Sequence, residues 1–262
     1  MTDSLLRSRH EDGLAVLEMA APPANCYSYD MMRELDAAIL AARMDESVHV
    51  IVLRGAGEKF FCAGADIRTL AGVTPEFKYY FCLHANETLS RLEQTPKLVI
   101  AALNGHTVGG GLEVALACDL RIARKGAGKM GLPEVALGVL PGTGGTQRLA
   151  RLVGRSKAIE LMAAGTTFTF EEGQAFGLVN QILESEDFDA GVTRIARQFC
   201  PPHKASKAVG RIKRAVVTGL EMPFAEALAL ERELQQQLFE SADAKEGLAA
   251  YLEKRPPRFT GR

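Results

Sequence analysis

Two glutamates in this chain of 262 residues lie beside glycine-rich runs, where they could carry acid/base chemistry. Glu113 ends the run GGGLE (109–113), and Glu134 lies within GLPEV (131–135). A pair of carboxyl groups can exchange protons near neutral pH when burial or a neighbouring negative charge raises one pKa. A single acid in the first turn of a helix is commonplace as a partner of the helix dipole. The case for catalysis therefore depends on the glycine-rich turns beside both glutamates.

Those turns predict binding of an anion by the main chain. The run FCAGADI (61–67) follows an apolar segment, and NGHTVGGGLE (104–113) leads from an apolar segment into a predicted helix. Small residues let a ligand approach the backbone, and free N–H groups at a helix start attract an oxyanion or a phosphate. A tight turn packed under a helix is the alternative for FCAGADI. The run PGTGGTQ (141–147) lacks the GK[ST] ending of a phosphate loop, and no GxGxxG lies at a predicted strand-to-helix turn, so no nucleotide site is predicted.

Other chemistries lack their motifs. The sequence has no GxSxG, HExxH or CxxC pattern, and its five histidines are isolated. Its five cysteines are scattered, so we expect free thiols and no metal site. A net charge of -1 argues against nucleic acid as a partner. The basic tract 204–214 is interpreted as a solvated helix face, with ligand phosphates as the alternative contact.

The apolar pattern predicts the elements that must position these turns. Short β-branched runs are typical of buried parallel strands, and apolar residues at helical spacing indicate helices. Strands are predicted at 14–19, 48–53, 98–103, 119–123 and 179–183. Helices are predicted at 31–42, 75–94, 109–117, 189–199, 204–218, 223–239 and 242–253. This alternation predicts an α/β fold with parallel pairing.

The end of the chain is predicted to be helical throughout. We expect a core over residues 1–200, containing the catalytic site, and a helical subdomain over 201–262 that packs on the core or on a neighbouring subunit. Segment 1–13 has no apolar stretch and contains acidic residues, and no apolar run approaches the roughly 18 residues of a membrane span. The sequence therefore predicts a cytoplasmic protein with no membrane partner.

Together, the three glycine-containing runs resemble the crotonase (enoyl-CoA hydratase/isomerase) superfamily. The matching segments are FCAGADI (61–67), NGHTVGGGLEVALACDLRIA (104–123) and GLPEVALGVLPGTGGTQRL (131–149). The resemblance implies a crotonase-like repeated ββα spiral core with a C-terminal all-helical oligomerisation subdomain, assembled as a homotrimer or homohexamer. It also implies an acyl-CoA thioester substrate and no separate cofactor, because coenzyme A is part of the substrate.

The resemblance further implies roles for individual residues. The amides of Ala63 and Gly110 would hold the thioester oxygen. Glu113 would activate water, Glu134 would donate a proton to C2, and Gly142 would help position the water. The implied contacts with coenzyme A are Ala24, Ala63, Gly64, Ala65, Asp66 and Ile67.

The presence of both glutamates favours one reaction within this superfamily. Members that hydrate enoyl-CoA carry both, whereas many isomerases keep only the second. The favoured prediction is reversible syn addition of water to a trans-2-enoyl-CoA, giving a 3-hydroxyacyl-CoA. The alternatives are an enoyl-CoA Δ3-Δ2 isomerase working through Glu134 alone, or a specialised hydratase for branched or heteroatom-bearing enoyl-CoA. The run CYSY (26–29) departs from the family pattern, in the loop that resembles the border of the coenzyme A site.

Overall fold

A computed structural model describes residues 4–262 of the chain; residues 1–3, the start of the N-terminal segment, lie outside this range. The strands are β1 (Leu6–Glu11), β2 (Leu14–Met19), β3 (Val50–Gly55), β4 (Phe60–Cys62), β5 (Leu98–Leu103), β6 (His106–Val108), β7 (Leu120–Arg124), β8 (Lys129–Gly131), β9 (Thr167–Thr169) and β10 (Gln181–Leu183). The helices are α1 (Tyr29–Met44), α2 (Ile67–Ala71), α3 (Pro75–Glu93), α4 (Gly110–Leu116), α5 (Gly145–Val153), α6 (Arg155–Ala164), α7 (Phe170–Ala175), α8 (Phe188–Arg197), α9 (Ser206–Gly219), α10 (Phe224–Phe239) and α11 (Ala242–Glu253). A 3-10 turn spans Glu134–Leu137.

Two sheets form the framework. The larger has the order β1-β2-β3-β5-β7-β10, and the smaller has the order β4-β6-β8-β9. Pairing is parallel except at β1–β2 and β8–β9. The chain sends β3, β5 and β7 to the larger sheet and the strand after each to the smaller one. This repetition confirms the α/β class and the ββα spiral that the resemblance implies.

The central strands of the larger sheet are buried on both faces, as their continuous apolar runs predict. Every residue of β5 is buried, and alternate residues face two separate apolar clusters. Val99 and Ala101 pack in one cluster, while Leu98 and Ile100 pack in the other. The first cluster includes residues of α1, α3 and α4, and the second includes residues of α8. Packing on both faces of the sheet therefore holds its strands, and the turns at their ends, in place.

The predicted strands agree with the observed ones to within two residues. The predictions for β2 and β5 match both bounds, whereas 48–53 is observed as Val50–Gly55. The later start has a local cause, because the Val48 amide donates to Asp45 in a turn and only His49 and Val50 reach Gly13. The sequence did not predict β1, the short strands of the smaller sheet, or the helices α2 and α5 to α7.

The C-terminal helices confirm the predicted helical character of the tail. One part of the predicted solvated basic face is wrong: Lys213 is buried, and its Nζ lies 2.8 Å from Asp119. It also donates to the carbonyl of Lys97 (3.1 Å), so it fastens α9 to the core. A subdomain boundary near residue 200 stays a prediction. Within residues 4–262, no helix is long and apolar enough to cross a membrane.

Candidate active site

The three glycine-rich segments meet at the ends of neighbouring strands in the smaller sheet. β4 and β8 both pair in parallel with β6, so the turns that follow the three strands lie at one edge. The turn after β4 lies close to the turn after β6, because a Cβ added at Gly64 would lie 2.9 Å from the Gly110 amide nitrogen and 3.3 Å from the Val108 carbonyl oxygen. The backbone groups of two segments therefore border one small space.

Gly110 begins α4 with an amide that donates to no acceptor in residues 4–262. The turn before it requires glycine, since Gly109 has φ +56°. A side chain at Gly110 would collide with the Tyr27 hydroxyl, and one at Gly111 would collide with the Cys62 carbonyl. The tight packing explains the glycine run and leaves the Gly110 amide free, as its predicted role requires.

The prediction that Ala63 supplies the second free amide is wrong. The Ala63 N–H donates to the carbonyl of Ala24 (3.0 Å), so it is already satisfied. Ala65 forms a parallel bridge with Tyr27, in which Tyr27 accepts from Asp66 (3.3 Å) and donates to Gly64 (2.9 Å). In such a bridge the N–H of Ala65 points away from Tyr27, and it has no acceptor among the described residues. Ala65 is therefore the available donor on this segment.

Glu113 is buried and is held by three hydrogen-bond donors. Its Oε1 accepts from the amides of Thr143 (2.8 Å) and Gly145 (2.7 Å), and the Thr143 hydroxyl contacts its Oε2. Arg148 supports this loop by donating to the Thr143 carbonyl (3.2 Å). Oε1 thus accepts two donors and Oε2 accepts one, so one lone pair of Oε2 stays open to a further donor such as water.

Glu134 has the opposite environment. It is half-buried in the 3-10 turn, and its Oε2 is shielded from solvent without a hydrogen-bond partner. Desolvation raises its pKa to about 7, the charge of Glu113 adds to the rise, and Lys78 opposes it. Its Oε1 lies against Gly109, where an added Cβ would sit 3.2 Å away. The structure thus brings the two predicted glutamates together in different environments: Glu113 accepts three hydrogen bonds, whereas Glu134 Oε2 accepts none within residues 4–262.

Gly142 lies in the loop before α5, next to Thr143, which holds Glu113. The Gly142 carbonyl accepts from Asn86 Nδ2 (3.4 Å), and an added Cβ would lie 3.0 Å from Cys82 Sγ. A cleft of about 700 Å³ opens here. Its lining mixes polar and apolar side chains, among them Glu93, Gln147, Arg148, Leu140, Val217 and Met222.

The residues predicted to contact coenzyme A lie along one edge of this site. Ala24 and Ala63 are half-buried and joined by the hydrogen bond described above. Asp66 caps α2 by accepting from the Arg68 amide (3.1 Å), and the neighbouring Ile67 is exposed. Gly64 is buried against α4. A role in binding the substrate stays a prediction for these positions.

Two residues at the centre of the site were not predicted. Thr143 lies within PGTGGTQ, but only the loop's return to Glu113 shows what it does. Tyr27 was noted as a departure from the family pattern, and the structure places its hydroxyl 3.1 Å from Thr143 Oγ1. Its buried position could have been inferred from the apolar residues that follow it in α1, but its contact with Thr143, 116 residues away, could not.

Comparisons with known proteins agree with this geometry. The family model described as enoyl-CoA hydratase/isomerase matches residues 9–262. The chain is 38% identical over 246 residues to a short-chain-enoyl-CoA hydratase of Clostridium acetobutylicum, covering 94% of this chain and 93% of that protein. It is 36% identical over 269 residues to the mouse mitochondrial methylglutaconyl-CoA hydratase, covering 99% and 85%. A crystal structure of an enoyl-CoA hydratase from Geobacillus kaustophilus superposes with a TM-score of 0.97 at 46% identity, covering 100% of this chain and 98% of that one.

Proposed function

Because the chain belongs to the enoyl-CoA hydratase/isomerase family, we propose that it adds water to a trans-2-enoyl-CoA thioester through Glu113 and Glu134. The protein is an enoyl-CoA hydratase, a lyase of fatty-acid metabolism that takes an acyl-CoA substrate. The observation that carries the mechanism is the pairing of a hydrogen-bonded Glu113 with a desolvated Glu134 beside two free amides.

The two free amides are proposed to hold the thioester oxygen. Attack of water at C3 moves negative charge onto that oxygen as an enolate forms. The amides of Ala65 and Gly110 border one space and have no acceptor in residues 4–262, so they can receive that charge without rearrangement. One donor of this kind typically contributes about 3 kcal/mol to transition-state stabilisation.

The two glutamates then divide the proton transfers. Glu113, held as an acceptor, takes a proton from water as the oxygen bonds to C3. Glu134, whose pKa of about 7 leaves much of it protonated near neutral pH, donates a proton to C2. Proton exchange between the two carboxyls restores the starting state, so no net proton is consumed. Gly142 is proposed to orient the water through its backbone.

The substrate is proposed to carry a short acyl chain. The support is the name of one relative, the short-chain-enoyl-CoA hydratase of Clostridium acetobutylicum. Coenzyme A would contact Ala24, Ala63, Gly64, Ala65, Asp66 and Ile67. No separate cofactor is proposed, and the working form is proposed to be a cytoplasmic homotrimer or homohexamer.

The test is hydration of crotonyl-CoA, followed as loss of its conjugated absorbance. Glu113→Gln and Glu134→Gln should each lower kcat by orders of magnitude, because each amide keeps its shape but cannot exchange the proton. Binding of coenzyme A should survive in both variants. Wild-type turnover in either variant would contradict the two-carboxylate mechanism.

The same pair of variants separates hydration from Δ3-Δ2 isomerisation. The raised pKa of Glu134 would suit a lone proton shuttle between C4 and C2. If isomerisation is the main reaction, Glu113→Gln should retain it on a 3-enoyl-CoA substrate, and no 3-hydroxyacyl product should form. Including crotonyl-CoA and 3-methylglutaconyl-CoA as substrates tests the specialised-hydratase alternative.

A further inference from the structure

Three buried side chains form a continuous line from the CYSY loop to the catalytic carboxylate. The Tyr27 hydroxyl lies 3.1 Å from Thr143 Oγ1, and Thr143 Oγ1 is hydrogen-bonded to Glu113 Oε2. Each of the three residues is only 2% exposed. The proposed reaction uses Glu113 but gives no part to the other two side chains.

The donors in this line can be assigned from its ends. Glu113 accepts two backbone amides through Oε1 and the Thr143 hydroxyl through Oε2. The single hydroxyl hydrogen of Thr143 is then donated to Oε2, so its oxygen must accept from Tyr27. Burial and the charge of Glu113 raise the pKa of Tyr27 well above its usual value, and the phenol therefore keeps the proton it donates. The line runs from Tyr27 through Thr143 to Glu113.

Tyr27 also contacts both segments that border the thioester oxygen. Its backbone exchanges hydrogen bonds with Gly64 and Asp66 on either side of Ala65. Its hydroxyl and ring occupy the space where any side chain on Gly110 would have to lie. One residue thus touches the two proposed amide donors and, through Thr143, the proposed base.

We propose that Tyr27 is a positioning residue that acts through the Thr143 hydroxyl to fix the Glu113 carboxylate relative to the amides of Ala65 and Gly110. The proposal rests on the proposed function of Glu113. With the phenol hydroxyl in place, the Thr143 hydroxyl has one favourable orientation and is a stronger donor. Without it, Oε2, the oxygen left open to water, loses that constraint, while the two amide bonds to Oε1 remain.

The test is a double-mutant cycle on the two hydroxyl groups. Tyr27→Phe removes one oxygen and keeps the ring and backbone contacts, and Thr143→Val removes the middle hydroxyl at nearly constant shape. We expect Tyr27→Phe to lower kcat about tenfold, the effect of one hydrogen bond to a charged network, with KM for crotonyl-CoA changed less than about twofold. Once Thr143→Val is present, adding Tyr27→Phe should cost nothing more, because the line is already cut.

One further variant controls for packing. Thr143→Ser keeps the hydroxyl and should recover most of the activity lost in Thr143→Val. If Tyr27→Phe does not fold, Thr143→Val still cuts the line, and an unchanged kcat in that variant overturns the proposal.

Three results would overturn the role of Tyr27. These are an unchanged kcat in Tyr27→Phe, a rise in KM alone, and losses that multiply in the double variant, which would mean that Tyr27 acts independently of Thr143. Failure of the proposed function itself looks different. It would appear as wild-type hydration in Glu113→Gln, whatever the Tyr27 variants do.

Discussion

At the scale of single residues, the ionisation of Glu134 sets the expected pH dependence. Its folded-state pKa is raised to about 7, and the proposed proton donor is the neutral form. Hydration should therefore be fastest below that value and fall as pH rises through it. The Lys78 charge opposes the rise, so Lys78→Gln should raise the pKa of Glu134 further and move the basic limb of kcat/KM to higher pH.

The measurement is the pH at which kcat/KM for crotonyl-CoA falls in each variant. This pH does not depend on the absolute rate. Lys125→Gln is the matched control, because Lys125 is exposed and pairs with Glu184 (2.8 Å) rather than with the site. A limb that stays in place in Lys78→Gln, or moves to lower pH, would contradict the assignment of Glu134 as the acid.

Single residues also show what motifs could and could not predict. Glu113, Glu134 and Gly110 were placed by motif, and the structure brings all three to one space. Ala63 was chosen where the structure leaves Ala65 free, an error of two residues. Which amide stays free depends on which amides donate to the carbonyls of Ala24 and Tyr27, and these two residues lie about forty positions earlier. The spacing of residues within the motif does not predict that pairing.

At the scale of elements, the contact between the turn after β4 and the start of α4 should be sensitive to one methyl group. In Gly64→Ala the new Cβ would lie 2.9 Å from the Gly110 nitrogen, and the backbone has φ +87°. We expect kcat to fall roughly 100-fold or more, the scale of losing one oxyanion donor, because the two segments must separate.

The matched control for that substitution is Gly57→Ala. Gly57 has φ +73°, and an added Cβ meets nothing within 4 Å. Gly57→Ala should lose about 1 kcal/mol of folding free energy from the positive φ, measured by urea unfolding, and Gly64→Ala should lose more because its Cβ also meets backbone atoms. Only Gly64→Ala should also lower kcat. Equal losses of kcat in the two would show that strain, not the contact with Gly110, is responsible.

The attachment of α9 to the sheet gives a second prediction for elements. Lys213 and Asp119 are buried together at 2.8 Å, and Asp119 also accepts the Val99 amide (2.7 Å). Lys213→Met leaves the Asp119 carboxylate buried without its cation and should cost about 3–5 kcal/mol of unfolding free energy at neutral pH. The double variant with Asp119→Asn should recover part of that loss.

The pH dependence of that loss has a definite sign. Desolvation already raises the pKa of Asp119, and Lys213 counteracts it. Without Lys213 the folded-state pKa rises further above the unfolded value, so the variant is most stable when Asp119 is protonated and loses stability as pH rises through that pKa. Denaturant unfolding should therefore show a smaller deficit in acid than at neutral pH. A deficit independent of pH would indicate lost packing instead.

Length and apolar pattern together decided which strands the sequence could predict, since β1 also has six residues but five of them are exposed. The six-residue strands β2, β3 and β5 have enough apolar periodicity to be recognised, whereas β4, β6 and β8 have three residues each. These short strands hold the three glycine-rich turns, so the sheet that assembles the site was the part missed. The helix α5 was also hidden, because its start at Gly145 lies inside a glycine cluster that resembles a loop.

At the scale of the whole molecule, the spiral explains why residues 61–67, 104–113 and 131–145 form one site. Each turn of the spiral places its second strand beside the previous one, so three distant motifs end at one edge. The amides of Ala65 and Gly110 and the side chain of Glu134 come two or three residues after the ends of these strands. The resemblance predicted this arrangement as a family property, whereas composition and periodicity predicted only a parallel α/β fold.

The outer surface of the C-terminal helices leads to a prediction about assembly. Phe224 at the start of α10 and Leu252 near the end of α11 are 78% and 80% exposed, which is costly for large apolar side chains unless another copy covers them. Light scattering should give a mass near three or six times the 28.3 kDa of one chain.

Charged substitutions separate an interface from ordinary surface. Phe224→Glu and Leu252→Glu should each lower the mass toward one chain, because a carboxylate buried between copies loses its hydration. Met44→Glu is the control, since Met44 is 79% exposed but lies at the end of α1 on the core. Wild-type protein with the mass of one chain, or equal dissociation in all three variants, would contradict a C-terminal interface and require another explanation for these exposed side chains.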